Sequence, residues 1–195
     1  MNKFHEGSRM NTPLTIAVVA GTTREQRLSI NAAKYIASYS RQLPNVEIIL
    51  VDPMDFQFDG DGNDPEGKDP RYTDITARAD AFFIVTPEYN HSFPGSLKRM
   101  LDSELANYNH KPVAIAGVSN GNWGGVRAVE QLCLAIRELG LVVMSWDVYF
   151  PYVQKIFKDD GSMNAEFTER YEKQLSKLLS ELVWFAEVLK EKREQ

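Results

Sequence analysis

Apolar residues in this chain follow two rhythms, short continuous runs and longer stretches with a period of three to four. Four runs, LTIAVVA at 14–20, VEIILV at 46–51, AFFIV at 81–85 and PVAIAGV at 112–118, read as strands, the first a continuous β-branched run suited to burial on both faces. A fifth strand is expected over residues 141–146. Helical spacing puts Ile30, Ala33, Ile36 and Ala37 on one face of residues 29–40, which Pro44 and Asn45 bring to a stop. Val126, Val129, Cys133 and Ile136 form one stripe of a helix over 125–139, with Gly140 as its C′ residue. A short helix is expected over 73–79. The longest periodic stretch, 164 to about 192, steps through Phe167, Tyr171, Leu175, Leu178, Leu182, Phe185 and Leu189. Its last residues, 190–195, are expected to fray, and Trp184 and Phe185 to divide between core and interface.

Five apolar strands alternating with helices predict an α/β fold. Strands buried on both faces belong in a parallel sheet, because right-handed crossovers put helices on both sides. The count fits a flavodoxin-like, doubly wound five-stranded parallel sheet of order 2-1-3-4-5, with helices on both faces. A ligand then sits at the carboxyl ends of the strands, where the loops after strands 1, 3 and 4 converge. The organisation expected is a polar flexible tail over residues 1–11, with Met10 an alternative start, followed by one domain over 12–195. No internal repeat or domain linker interrupts it.

Composition narrows the function. The chain has 195 residues, 43% of them hydrophobic and 11% aromatic, enough for a sizeable core. A net charge of −5 disfavours a general nucleic-acid binder or a polybasic membrane protein. The single cysteine, Cys133, rules out an internal disulfide framework and a Cys-rich zinc site. No apolar run reaches the roughly 18 residues of a membrane helix. The polar start lacks the apolar stretch of a signal peptide, so a cytoplasmic protein is expected.

Each of the three loops carries suitable chemistry. After the first strand, residues 21–29 (GTTREQRLS) offer a glycine, hydroxyls, two guanidinium groups and the start of a helix, a set that suits a phosphate. An ordinary turn with Ser29 as N-cap is the alternative. The loop is neither GxGxxG nor GxxxxGK[ST]. After the fourth strand, residues 117–125 (GVSNGNWGG) let backbone amides approach a ligand, with Trp123 able to cover an aromatic ring; a flexible surface loop explains the same residues. After the third strand comes TPEYNHSFPGSLKRMLDS, residues 86–103. Pro87 stiffens the exit, and the amides of Glu88, Tyr89 and Asn90 are then available to the polar edge of a flat ring.

These three segments together resemble the NADPH-dependent FMN reductase family: GTTR…S-x-N after the first strand, PEYNHSFPGSLKRMLD after the third, and KPVAIAGVSNGNWGGVRAVEQL around the fourth. The likeness continues through FPYVQKIFKDDGSMNAEF into the last helix. It implies a flavodoxin-like fold, bound FMN, NADPH or NADH as electron donor, and a homodimer or dimer of dimers. By the same likeness Thr22, Arg24, Ser29 and Asn31 match the FMN-phosphate loop, with Arg27 competing with Arg24 because the loop is about two residues longer than the shorter versions. Pro87, Glu88, Tyr89 and Asn90 match the isoalloxazine loop, and Ser119, Gly121 and Gly124 the second loop beside the flavin. Arg99 and Ser103 depart from the family's usual Asn and Trp, which bears on pocket walls and subunit packing.

The function the resemblance implies is a ping-pong, two-electron reduction of a quinone, azo compound, metal oxyanion or free flavin, with no catalytic side chain and no metal. A flavodoxin-like electron carrier and an FMN-dependent sensor or interaction protein remain the alternatives. Cys133 reads as core; His5, His91 and His110 lack metal-ligand spacing. Residues 59–63 imitate the start of a calcium loop but meet Asp64 where glycine belongs and Pro70 where glutamate belongs. Residues 59–69 are therefore expected to be a solvated acidic loop, one that can reach a neighbouring subunit.

Overall fold

The computed structural model describes residues 12–62 and 64–195; the expected tail over 1–11 lies outside them. Strands β1 (Leu14–Ala20), β2 (Val46–Val51), β3 (Ala81–Pro87) and β4 (Pro112–Val118) fall where the apolar runs predict. All pair in parallel, and with β5 (Val142–Val143) at the outer edge the order is β2-β1-β3-β4-β5, so the expected 2-1-3-4-5 topology holds. The three central strands are buried along their whole length, whereas β2 is half-exposed. Alternation along β1 sends Ile16 and Val18 to one face and Ala17 and Val19 to the other. The first face packs under α1 (Ser29–Ser40), the short α5 (Val153–Ile156) and α6 (Ala165–Arg193). The second packs under α2 (Pro70–Arg78), α3 (Gly95–Asp102) and α4 (Val126–Glu138).

The fifth strand corrects the expectation of one run over 141–146. Two pieces, β5 (Val142–Val143) and β6 (Val148–Phe150), share the outer place beside β4. Pro112 pairs with Val142 and Ala116 with Val148, so the outer strand uses two more residues than β4 over this stretch. The extra chain lets Trp146 turn away and donate its indole N–H to Glu181 of α6 at 2.9 Å.

Helix α2 begins at Pro70, earlier than residue 73. Asp69 is a working N-cap, accepting from the Arg71 N–H at 3.0 Å, and Pro70 fits the first helical position. On α4 the buried stripe is Ala128, Val129, Leu132 and Ile136, while Val126 and Cys133 are half-buried at its margin. Burial, with Asp147 and Glu130 nearby, pushes the Cys133 thiol up to about 11.

Helix α6 runs to Arg193, so residues 190–193, expected to fray, are helical here, while Glu194 and Gln195 lie beyond the helix. Lys190 and Arg193 reach Asp80 at 2.9 and 3.1 Å, and Asp80 also accepts the Thr15 N–H at 3.0 Å. One buried carboxylate therefore fastens the last helical turn to the amino end of the sheet. Phe185 packs on the core, but Trp184 is 52% exposed.

The acidic segment is organised from α3. The Arg99 guanidinium donates to the carbonyls of Asp59, Gly60, Gly62 and Gly67 and lies over the Phe58 ring. Arg99 thus supplies the donors this loop's carbonyls need. Among the described residues no helix is long and apolar enough to cross a membrane.

Candidate active site

The carboxyl ends of β1, β3 and β4 lie side by side, and their loops enclose a cleft of about 290 Å³. Its walls include Arg24, Arg27 and Ser29 from the first loop, Pro87, Glu88 and Tyr89 from the second, and Ser119 from the third. All seven are among the residues the sequence singles out. Glu25, Gln26, Leu28, Val118 and Asn120 carry no sequence signal beyond their place in the loops, and Val153, from the short helix after β6, completes the lining.

The first loop leaves β1 at Gly21, whose N–H donates to the Val85 carbonyl at 2.8 Å. A Cβ there would stand 2.7 Å from that oxygen, so only glycine lets the two chains stay this close. Thr22 is buried beneath the cleft; its hydroxyl accepts the Arg24 N–H at 3.2 Å and lies 3.0 Å from the Tyr89 phenol oxygen. Ser29 is the first residue of α1, and the position before it is Leu28, which supplies no side-chain cap. The serine-cap alternative therefore fails, and the first amides of α1 are left without a side-chain acceptor.

The two arginines differ. Arg24 is exposed, with its guanidinium 5.9 Å from the centre of the Tyr89 ring. Arg27 is folded in, its side chain 10% exposed, bonded through Nη2 to the Asp52 carboxylate and through Nη1 to the Met54 sulfur. Its Nε is buried and has no partner among the described residues. A buried guanidinium donor left unsatisfied beside an uncapped helix start is what a phosphate dianion requires. The residues present fit the phosphate end of FMN.

The second loop is a two-residue hairpin. Tyr89 and Ser92 exchange backbone bonds at 2.8 and 2.9 Å, and Asn90 and His91 between them have φ of 49° and 66°. Positive φ at both central residues marks a type I′ turn. The amides are less free than the sequence suggests. Glu88 N–H is taken by the Val118 carbonyl at 3.2 Å and Tyr89 N–H by Ser92. The Asn90 N–H has no partner among the described residues. The Glu88 carboxylate accepts from the Arg127 N–H at 3.3 Å and from its guanidinium at 3.4 Å, so it caps α4.

Five expected site residues do not line the cleft: Thr22, Asn31, Asn90, Gly121 and Gly124. Thr22 acts from below through Tyr89, and Asn90 sits at the exposed corner of the hairpin. Asn31 lies against Gly161, and Gly124, at φ 64°, packs against Tyr149 and Pro151. Gly121 carries the loop's bonds, its carbonyl accepting from the Ser119 hydroxyl at 2.9 Å and from the Tyr152 N–H at 3.0 Å. Trp123 lies off the cleft wall, 62% exposed, with the Arg127 guanidinium 5.7 Å from its ring centre.

Residues 14–154 match the family model described as NADPH-dependent FMN reductase. The chain belongs to that family. It is accordingly an FMN reductase-type oxidoreductase, with FMN as cofactor and a reduced nicotinamide as electron donor. A quinone reductase from Pseudomonas putida is 27% identical over 162 residues, covering 80% of this chain and 87% of that one. A 2-hydroxy-1,4-benzoquinone reductase from a Burkholderia species is 30% identical over 165 residues, covering 81% and 90%. Among solved structures, the flavoenzyme NAD(P)H:(acceptor) oxidoreductase FerB from Paracoccus denitrificans superposes with a TM-score of 0.69 at 25% identity, covering 91% of this FMN reductase and 98% of that chain.

Proposed function

We propose that this FMN reductase passes two electrons from NADPH or NADH to a small acceptor, a quinone, azo compound, metal oxyanion or free flavin, in a ping-pong cycle. The observation that carries the reading is the Nε of Arg27, buried and without a partner among the described residues, in the wall of a cleft at the β1/β3 switch point. Arg27 is the phosphate partner in this reading, held at the required angle by Asp52, and Arg24 is a second, exposed cation at the same end. Ser29 and the first amides of α1 complete the phosphate cradle. Asn31 supports it from behind through the chain near Gly161.

The flat end of the cofactor is assigned to Pro87, Glu88, Tyr89 and Asn90, with Ser119 on the facing wall and Gly121 and Gly124 shaping that wall's backbone. Thr22 holds Tyr89 by its phenol, and the Asn90 N–H is free to donate. Glu88 serves by its place in the loop, since its carboxylate is engaged by Arg127. The chemistry supplied by bound FMN is two-electron transfer, so no side chain is assigned as nucleophile or acid–base catalyst. Donor and acceptor are assigned the same place in turn, so oxidised nicotinamide leaves before the acceptor enters. The quinone reductases among the relatives support acceptors of that class. A homodimer or dimer of dimers is the assembly we assign, and light scattering on the holoprotein tests it.

The deciding experiment adds FMN to the purified protein, then NADPH without oxygen, then a quinone. Loss and recovery of the oxidised flavin absorbance is expected. Failure to bind FMN overturns the reading. Binding without bleaching by either nicotinamide, or a well-populated semiquinone in potentiometry, turns it to an electron carrier or sensor.

A further inference from the structure

Two exposed aromatic rings beside the cleft, each with a cation against it, play no part in the cofactor site described above. Trp123 belongs to the loop whose first residues, Ser119 and Asn120, line the cleft. Arg127 sits against its ring at 5.7 Å and is fixed there by the Glu88 carboxylate. Tyr152 is 42% exposed and immediately precedes the cleft residue Val153. The Lys155 ammonium lies 5.0 Å from its ring centre. The two segments are tied together: the Tyr152 N–H donates to the Gly121 carbonyl at 3.0 Å, and the Gln154 amide to the Asn120 carbonyl at 3.1 Å.

Neither ring closes the core. Tyr152 is also held in left-handed backbone, at φ 50° and ψ 48°, a conformation that a bulky side chain adopts only when its surroundings impose it. A ring face offers stacking to any flat molecule, and an adjacent cation attracts any anion. Only a flat ring that bears an anionic group satisfies both at once. The chain carries a net charge of −5, so cations at the rim matter all the more for drawing in such a ligand. Inside the cleft, Tyr89 and Arg24 repeat the same pairing.

We propose that Trp123–Arg127 and Tyr152–Lys155 form a rim subsite for a planar aromatic ligand carrying an anionic substituent. The proposal builds on the FMN reductase reading of the cleft. Two ligands have this chemistry, the phosphorylated adenosine end of NADPH and an aromatic acceptor with a carboxylate or sulfonate.

The test uses the FMN-loaded protein with Trp123→Ala, Tyr152→Gly and Lys155→Gln. Binding of naphthalene sulfonate and of a neutral naphthyl alcohol is measured by equilibrium dialysis, which needs no turnover. The wild type is expected to favour the sulfonate several-fold, and each variant to lose most of that preference. Rapid mixing then follows reduction by NADPH against NADH, and reoxidation by a sulfonated against an unsubstituted naphthoquinone. A rise of about five- to ten-fold in half-saturating concentration, at unchanged limiting rate, is expected for the anionic ligand alone. Confined to NADPH, it assigns the subsite to the donor; confined to the sulfonated quinone, to the acceptor. Equal binding of sulfonate and alcohol by the wild type overturns the subsite, as does a Trp123 variant that changes only the assembly state. Sulfonate preference without any flavin bleaching overturns the reductase reading and leaves the subsite standing.

Discussion

The hydroxyl of Thr22 lies 3.0 Å from the phenol oxygen of Tyr89, joining two loops that are 67 residues apart in the chain. The bond fixes the ring that walls the cleft. Tyr89→Phe keeps the ring and removes the tie, and it is expected to weaken FMN binding by about three- to ten-fold, the worth of one partly buried hydrogen bond. Fluorescence titration of FMN into the apoprotein measures it. Unchanged affinity would show that the ring needs no anchor.

Arg27 and Arg24 are separated by comparing FMN with riboflavin, which lacks the phosphate. Arg27→Ala is expected to weaken FMN by about 10- to 100-fold, as for a charge-assisted contact, and to leave riboflavin affinity nearly unchanged. Arg24→Ala should cost less, because that guanidinium is exposed. A larger loss for Arg24 reverses the assignment.

His91 occupies the second central position of the Tyr89–Ser92 hairpin at φ 66°. Glycine is the residue that conformation favours. His91→Gly is expected to stabilise the fold by about 1 kcal/mol, or roughly 2–4 °C in Tm, without altering flavin affinity. Differential scanning calorimetry provides the check.

Lys111 is buried, donating to the carbonyls of Thr76 and Ala77 at 2.8 and 3.1 Å. Burial lowers its ammonium to about 8, Arg193 adds to the lowering and Asp80 opposes it. Below pH 8 both folded and unfolded chains keep the proton, and the folded chain bears the full cost of burying it. From about 8 to the ordinary 10.5 the unfolded chain holds a proton the folded chain has released, so stability rises with pH. The gain is on the order of 3 kcal/mol over that window. Urea unfolding across it should show a rise in the wild type that Lys111→Met lacks.

The strands were the most legible part of the sequence, because a parallel strand buried on both faces is a continuous apolar run. Residues 14–20, 46–51 and 112–118 are strands in the structure to the residue. The divided fifth strand was not legible, since the Trp146–Glu181 contact that accompanies the break joins residues 35 apart in the chain. The end of α6 was misjudged for the same reason: Asp80 holds it from the far side of the chain. At the site, strand order told which loops meet, but side-chain direction inside a loop comes from local bonds. Asn31, in the first turn of α1, and Gly124, in the loop after β4, are therefore at the right end of the sheet but off the cleft wall. The separate fates of Arg24 and Arg27 depend on Asp52, which no motif marks.

The break between β5 and β6 has a bearing on solubility. A long, straight outer strand offers a row of open backbone groups to which another chain can add. Here that border of the sheet is cut into pieces of two and three residues with Trp146 and Asp147 between them. At this border, strand addition from a second molecule finds no register to extend along.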